Sequence, residues 1–298
     1  MSFQSFHGAW PALITPATAE GEVNVPVLRD LTAHLLNKGI GGLYVCGTTG
    51  EGMFMSVAER QLVAETVIDE VNGRTPVIVH VGSIATRDAV ILARHARDVG
   101  ADGVASILPL FGAGLASTYL HYETIAAAVP ELPFYPYLFG GQTDAVSLLR
   151  ELRRRIPTLA GAKYTGPNMY ELQALVAMQD ANWTIFSGMD EQCAFAAMFG
   201  ATANIGSTLN VMPGVYREIR AACERGDLAR ARDVQAQANR VIRVWFEFGF
   251  PGAFRETLRW LGFDCGEPRL PNLPLPPEQR EALHAALEAA EFWELTKM

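Results

Sequence analysis

The stretch PVIVHVGSIATRDAVILARHARDVGADGVASILP (residues 76–109) contains one complete structural unit. It opens on an apolar, β-branched run, PVIVHVG (76–82), continues through residues 86–99 with helical periodicity, and closes on a second apolar run, GVASILP (103–109). Neither run alternates with polar residues, which is the pattern of parallel strands covered on both faces. The same unit recurs on either side. Further strand-like runs are PALIT (11–15), GLYVCG (42–47), LPFYPYL (132–138), LAGAKYT (159–165), WTIFSG (183–188) and ATANIGS (201–207). Helical periodicity fills 25–38, 56–71, 117–129, 144–155 and 190–199. Eight strands each followed by a helix, over about 220 residues, predict the α/β class and a (β/α)₈ TIM barrel. A doubly wound sheet, usually of about five or six parallel strands, fits less well.

After the eighth unit the pattern becomes all helix, at 227–248, roughly 253–262 and 277–294. The proline-rich EPRLPNLPLPPEQ (267–279) between the last two is read as a connector that docks a C-terminal helical extension, in preference to a P-x-x-P ligand. The expected division is a barrel over 1–226 and a helical subdomain over 227–298.

Composition excludes several function classes. With 49% hydrophobic and 19% charged residues, and no apolar run near the ~20 residues a membrane span needs, the chain is not expected in a membrane. A net charge of −8 has the wrong sign for a protein that neutralises phosphates, so no nucleic-acid partner is expected. MSFQSFHGAWPALITP lacks the basic and apolar regions of a secretory signal, and a cytoplasmic location is expected. Cys46, Cys193, Cys223 and Cys265 are widely spaced with no CxxC, which predicts reduced thiols and neither a disulfide framework nor a zinc site.

Of 24 basic residues only Lys38, Lys163 and Lys297 are lysines. Lys38 lies in a polar helix end and Lys297 next to the C-terminus, and solvent exposure accounts for both. Lys163 falls inside an apolar run at a strand end, the position where barrel active sites gather. Alternation puts Lys163 and Thr165 on one face, with Ala162 and Tyr164 on the other. Pointing inward, the Lys163 amine sits where low dielectric favours its neutral, nucleophilic form, able to condense with a ketone. The competing reading is a lysine reaching back to solvent.

Other strand ends carry further candidates. GTTGEG (47–52) has glycines spaced GxxGxG, the reverse of the dinucleotide fingerprint, and no Walker lysine follows. It is a tight turn whose Thr48 and Thr49 hydroxyls and backbone amides suit a small anion such as a carboxylate, unless it is an ordinary turn before a helix capped by Ser56. Tyr137 ends the aromatic fifth strand, where it either relays protons or packs the core. Asp190 and Glu191 open the seventh helix and, on their own, read as caps.

Together GLYVCGTTGEG, HVG, LPFYPY, GAKYT, SGMDE and NIGST resemble the dihydrodipicolinate synthase and N-acetylneuraminate lyase family of pyruvate-dependent class I aldolases, from about residue 8 to 262. The resemblance implies a Schiff base between Lys163 and pyruvate C2, a carboxylate held by Thr48 and Thr49, and proton transfer by Tyr137. It implies no metal and no separate cofactor, a 2-oxo acid or pyruvate as the small-molecule partner, and a homotetramer. The lyase branch is the closer one, because Thr165, Gly188, Asp190, Glu191 and Ser207 match its polyol-reading set. The synthase branch usually has an arginine near Gln142. Phe111 stands where the family commonly has a relay tyrosine, and Leu138 and Phe139 replace the usual asparagine and proline. These departures widen the acceptor to a related 2-keto-3-deoxy sugar acid or to an aromatic or apolar aldehyde. The alternatives are 4-hydroxy-tetrahydrodipicolinate synthase, a 2-keto-3-deoxy acid aldolase or dehydratase, and a non-catalytic keto-acid binding protein.

Overall fold

In the computed structural model, which describes residues 5–112, 114–139, 144–178 and 182–298, eight short strands run parallel. They are β1 (Gly8–Pro11), β2 (Leu43–Val45), β3 (Val77–His80), β4 (Gly103–Ile107), β5 (Phe134–Phe139), β6 (Gly161–Thr165), β7 (Thr184–Ser187) and β8 (Ala203–Gly206). β1 pairs with β8, and the ladder continues through the strands in order to β2. Two hydrogen bonds draw the free edges together, Gly41 N–H to Ala9 O at 2.8 Å and Leu13 N–H to Tyr44 O at 2.9 Å. Each strand is followed by a helix: α1 (Val25–Asn37), α2 (Val57–Val71), α3 (Thr86–Asp98), α4 (Leu115–Ala127), α5 (Ala145–Arg155), α6 (Met169–Val176), α7 (Cys193–Met198) and α8 (Pro213–Glu224). This is the expected TIM barrel.

Period-two alternation divides the core. Ile78, Ala105, Tyr135, Phe186 and Ile205 fill the barrel interior with Trp10 and Tyr44. Their strand neighbours Val79, Val104, Phe134 and Ala162 belong to the larger cluster that the surrounding helices share. Local signals start the helices. Ser56 and Glu59 form a reciprocal capping box at α2, and Asn168 and Asp144 accept the free amides that open α6 and α5.

The first strand lies earlier than the apolar run PALIT. Ala12 N–H still reaches Gly206 O, but Leu13 then turns to β2, and Ile14 N–H goes to the Asn210 side chain. The run is buried as its composition requires; its hydrogen bonds have left the β8 ladder.

Four helices follow: α9 (Leu228–Glu247), α10 (Phe250–Trp260), α11 (Arg280–Ala289) and α12 (Phe292–Leu295). α10 begins three residues before the expected start, with Pro251 in its first turn behind Gly249. The helix expected over 277–294 breaks where Glu291 takes φ 63°. The proline-rich segment is packed, with Leu275 buried and Arg269 paired to Glu59 at 2.7 Å. Among the described residues no helix is long and apolar enough to cross a membrane.

Gly161 opens the strand that carries Lys163, at φ +144°, and a β-carbon there would fall inside van der Waals contact of Thr184 O. Gly161→Ala is therefore expected to cost about 3 kcal/mol from backbone strain and overpacking, measured by denaturant unfolding.

Candidate active site

Lys163 stands in register between Tyr137 of β5 and Phe186 of β7, and is 5% exposed. Its Nζ lies 4.2 Å from the centre of the Tyr137 ring and 4.9 Å from that of Tyr44. Two aromatic rings thus pack against the amine. Behind them is His80, whose Nδ1–H donates to Cys46 O at 3.1 Å and whose Nε2 accepts from Ile107 N–H at 3.0 Å. Burial holds His80 well below its ordinary pKa, and Arg60 and Lys163 push it further down. His80 is thus a neutral support with both ring nitrogens engaged. Arg60 itself is buried and donates to His80 O and to Gly82 O at 2.8 Å.

The glycine turn after β2 faces Lys163 across the barrel mouth. Thr49 Oγ1 and Ser207 Oγ are hydrogen-bonded at 2.6 Å, tying this turn to the exit of β8. The amides of Thr48 and Thr49 donate to no protein acceptor among the described residues. Glu51, at φ 56°, accepts from Arg255 of α10 at 2.7 Å, and both line the cavity wall.

Asp190 and Glu191 lie in a 3₁₀ turn after β7. The cap reading of Asp190 is overturned. Its Oδ2 accepts from Thr208 N–H at 2.9 Å and from Thr208 Oγ1 at 2.8 Å, while Oδ1 is buried without a protein partner. Burial raises its pKa to about 6, against the lowering by the Thr208 bonds and Lys163. Thr165 Oγ1 is likewise buried and unpartnered. Gly188 packs directly on it, leaving no room for a β-carbon.

Lys163, Tyr137, Thr48, Thr49, Thr165, Gly188, Asp190, Glu191 and Ser207 all line one cavity of about 450 Å³. Unspent amides, an unpartnered carboxylate oxygen and a hydroxyl thus converge around a single amine, the arrangement of a site that binds a polar ligand. Among the described residues no three His, Cys, Asp or Glu side chains group as metal ligands. The family model described as the dihydrodipicolinate synthetase family matches residues 5–290. The chain belongs to that family. Within it, the mouse N-acetylneuraminate lyase is 33% identical, over 97% of this chain and 94% of its own. The 4-hydroxy-tetrahydrodipicolinate synthase of Nitratidesulfovibrio vulgaris is also 33% identical, covering 96% and 98%. The solved N-acetylneuraminate lyase of Proteus mirabilis superposes with a TM-score of 0.91 at 33% identity, over 96% of this chain and 99% of that one.

Several residues in and around this cavity escaped the sequence reading. Tyr44 and His80 sit in motifs whose residues carry no chemical label. Ile242, Phe246, Phe250 and Phe254 of α9 and α10 form a cavity wall that strand-end logic does not reach. Gln235 Nε2 donates to Asp190 O at 3.0 Å and Asn239 Nδ2 to Glu191 O at 3.1 Å, so α9 holds the 3₁₀ turn in place. Lys38 is half-buried, with Nζ donating to Thr296 O at 3.0 Å, where exposure was expected. Gln142 lies outside the described residues.

The raised pKa of Asp190 has a stability consequence with a definite sign. The folded protein binds this proton more tightly than the unfolded chain. The contribution is therefore fully present below the ordinary value of 3.8 and is lost as pH rises through about 6. Relative to Asp190→Asn, the wild type should lose about 3 kcal/mol between about pH 4 and pH 7, read from denaturant midpoints.

Proposed function

We propose that the protein is a lysine Schiff-base class I aldolase that cleaves a 2-oxo acid to pyruvate and an aldehyde, or joins the two, as an N-acetylneuraminate lyase-like enzyme. The observation that carries this reading is the Lys163 amine, alone among the chain's lysines in lining the cavity, with Tyr137 beside it. Lys163 attacks the C2 carbonyl and loses water to give an iminium. The turn amides and hydroxyls of Thr48 and Thr49 hold the substrate carboxylate. Tyr137, having given its own proton to the C2 hydroxyl that leaves as water, takes the proton of the C4 hydroxyl as the C3–C4 bond breaks, and the bond's electron pair passes into the iminium to form an enamine. Protonation at C3 and hydrolysis release pyruvate and restore the amine. The iminium is the electron sink, so the step needs no metal or cofactor. Thr165, Gly188, Asp190, Glu191 and Ser207 surround the chain beyond C3.

The synthase relative supports a second reading, 4-hydroxy-tetrahydrodipicolinate synthase, which consumes pyruvate instead of releasing it. The division into a barrel (1–226) and a helical subdomain (227–298) belongs to the proposal, as does a cytoplasmic location, with which four free cysteines accord. So does assembly as a homotetramer. Ile84, Phe111 and Leu120 are exposed and line one surface groove, away from the Lys163 cavity. Light scattering should give a four-chain mass, and Phe111→Asp should lower it.

Borohydride reduction in the presence of pyruvate should leave an adduct on the Lys163 peptide; absence of that adduct would end this reading. Tyr137→Phe should lower kcat about 10²- to 10⁴-fold for pyruvate release from 2-keto-3-deoxy acids.

A further inference from the structure

We propose that the helical side of the Lys163 cavity is an apolar subsite, and that the aldehyde this enzyme releases or accepts carries a flat apolar group, an aryl aldehyde being the type. This deepens the Schiff-base reading and rests on it. The cavity has two chemically different sides. The strand ends supply the amine, the turn amides, Thr165 Oγ1 and Asp190 Oδ1. The opposite wall is built from Ile242, Phe246, Phe250 and Phe254 of α9 and α10. Phe246 is 62% exposed although it borders the cavity. Apolar rings left facing a cavity are what an apolar ligand covers.

The wall is shaped for a ring. Phe250 and Phe254 stack at 5.0 Å with 12° between their planes, and Phe246 leans on Phe250 at 5.3 Å. Trp245 backs them edge-on, 5.2 Å from Phe254. An incoming aromatic finds both faces and edges to pack against.

The polar groups on that side are already spent. Arg255 donates to Glu51, Thr15 O and Cys265 O, and Asn272 Nδ2 donates to Glu51 at 3.0 Å. Among the described residues, a row of hydroxyls along the aldehyde would meet no free cation or amide donor there. Tyr137 serves the hydroxyl at C4, and Asp190 Oδ1 and Thr165 Oγ1 are both buried. In the joining direction the enamine C3 attacks the aldehyde carbon, and the carbonyl oxygen takes a proton and becomes that hydroxyl. Water then hydrolyses the iminium, releasing a 4-hydroxy-2-oxo acid and free Lys163.

The test compares kcat/KM for pyruvate with benzaldehyde and with D-erythrose, a polyhydroxy aldehyde of similar heavy-atom count. Benzaldehyde should be favoured about tenfold or more, and Phe246→Asn should shrink the ratio about tenfold while Phe246→Leu shifts it less than about threefold. Equal or better use of erythrose, or equal effects of the two variants, would overturn the subsite. Borohydride trapping with pyruvate alone separates the two failures. An adduct without aryl preference rejects the subsite only, whereas no adduct rejects the Schiff base as well.

Discussion

A carboxylate and a guanidinium, both withdrawn from water, meet across the top of the barrel: Glu51 and Arg255, 5% and 2% exposed, at 2.7 Å. Burying such a pair is costly, and the attraction compensates only when the remaining lone pairs and protons are also satisfied. Here they are. Glu51 accepts from Arg269 N–H at 3.1 Å and Asn272 Nδ2 at 3.0 Å, and Arg255 donates to Thr15 O and Cys265 O. One cluster therefore ties together the exit of β1, the turn after β2, α10 and the proline-rich connector. Removing either charge would strand the other, at a cost of about 3–5 kcal/mol. Glu51 N–H in turn bonds Thr48 O at 3.0 Å, which passes the rigidity to the Thr48–Thr49 turn.

The same division of labour holds around the rest of the cavity. Strands carry Tyr137, Lys163 and Thr165, because parallel strands bring their ends to one face. Helices α9 and α10 hold the turns after β7 and β2 still, through Gln235 and Asn239 on one side and Arg255 on the other. Rigid placement of this kind lowers the reorganisation that a reaction would otherwise need. The neutral His80, clamped between Cys46 O and Ile107 N–H, does the same for the aromatic cup under Lys163.

How far the sequence could be read follows from what each signal measures. Apolar runs report burial, so seven strands fall where their runs lie. The first does not, because residues 12–15 are buried without staying in the β8 ladder. Lys163 and Thr165 were legible because strand alternation fixes direction. Asp190 was reached only through the family resemblance. A carboxylate before a helix looks like a cap, and only the fold reveals that Thr208, eighteen residues on, claims one of its oxygens. Phe246 was equally silent, since a phenylalanine at helical spacing reads as core until the helix is seen to border the cavity. Phe111, 83% exposed, lines a groove separate from the Lys163 cavity.

The reach of the Glu51 cluster also orders events during synthesis. The lysine, the tyrosine and the threonine turn are all translated well before Arg255, and domains generally fold as units as the chain emerges. Until α10 leaves the ribosome, Glu51 has no counter-ion and the Thr48–Thr49 turn has no anchor. The nascent chain therefore carries Lys163 before the turn that faces it is fixed, and the cavity is completed in a single late step.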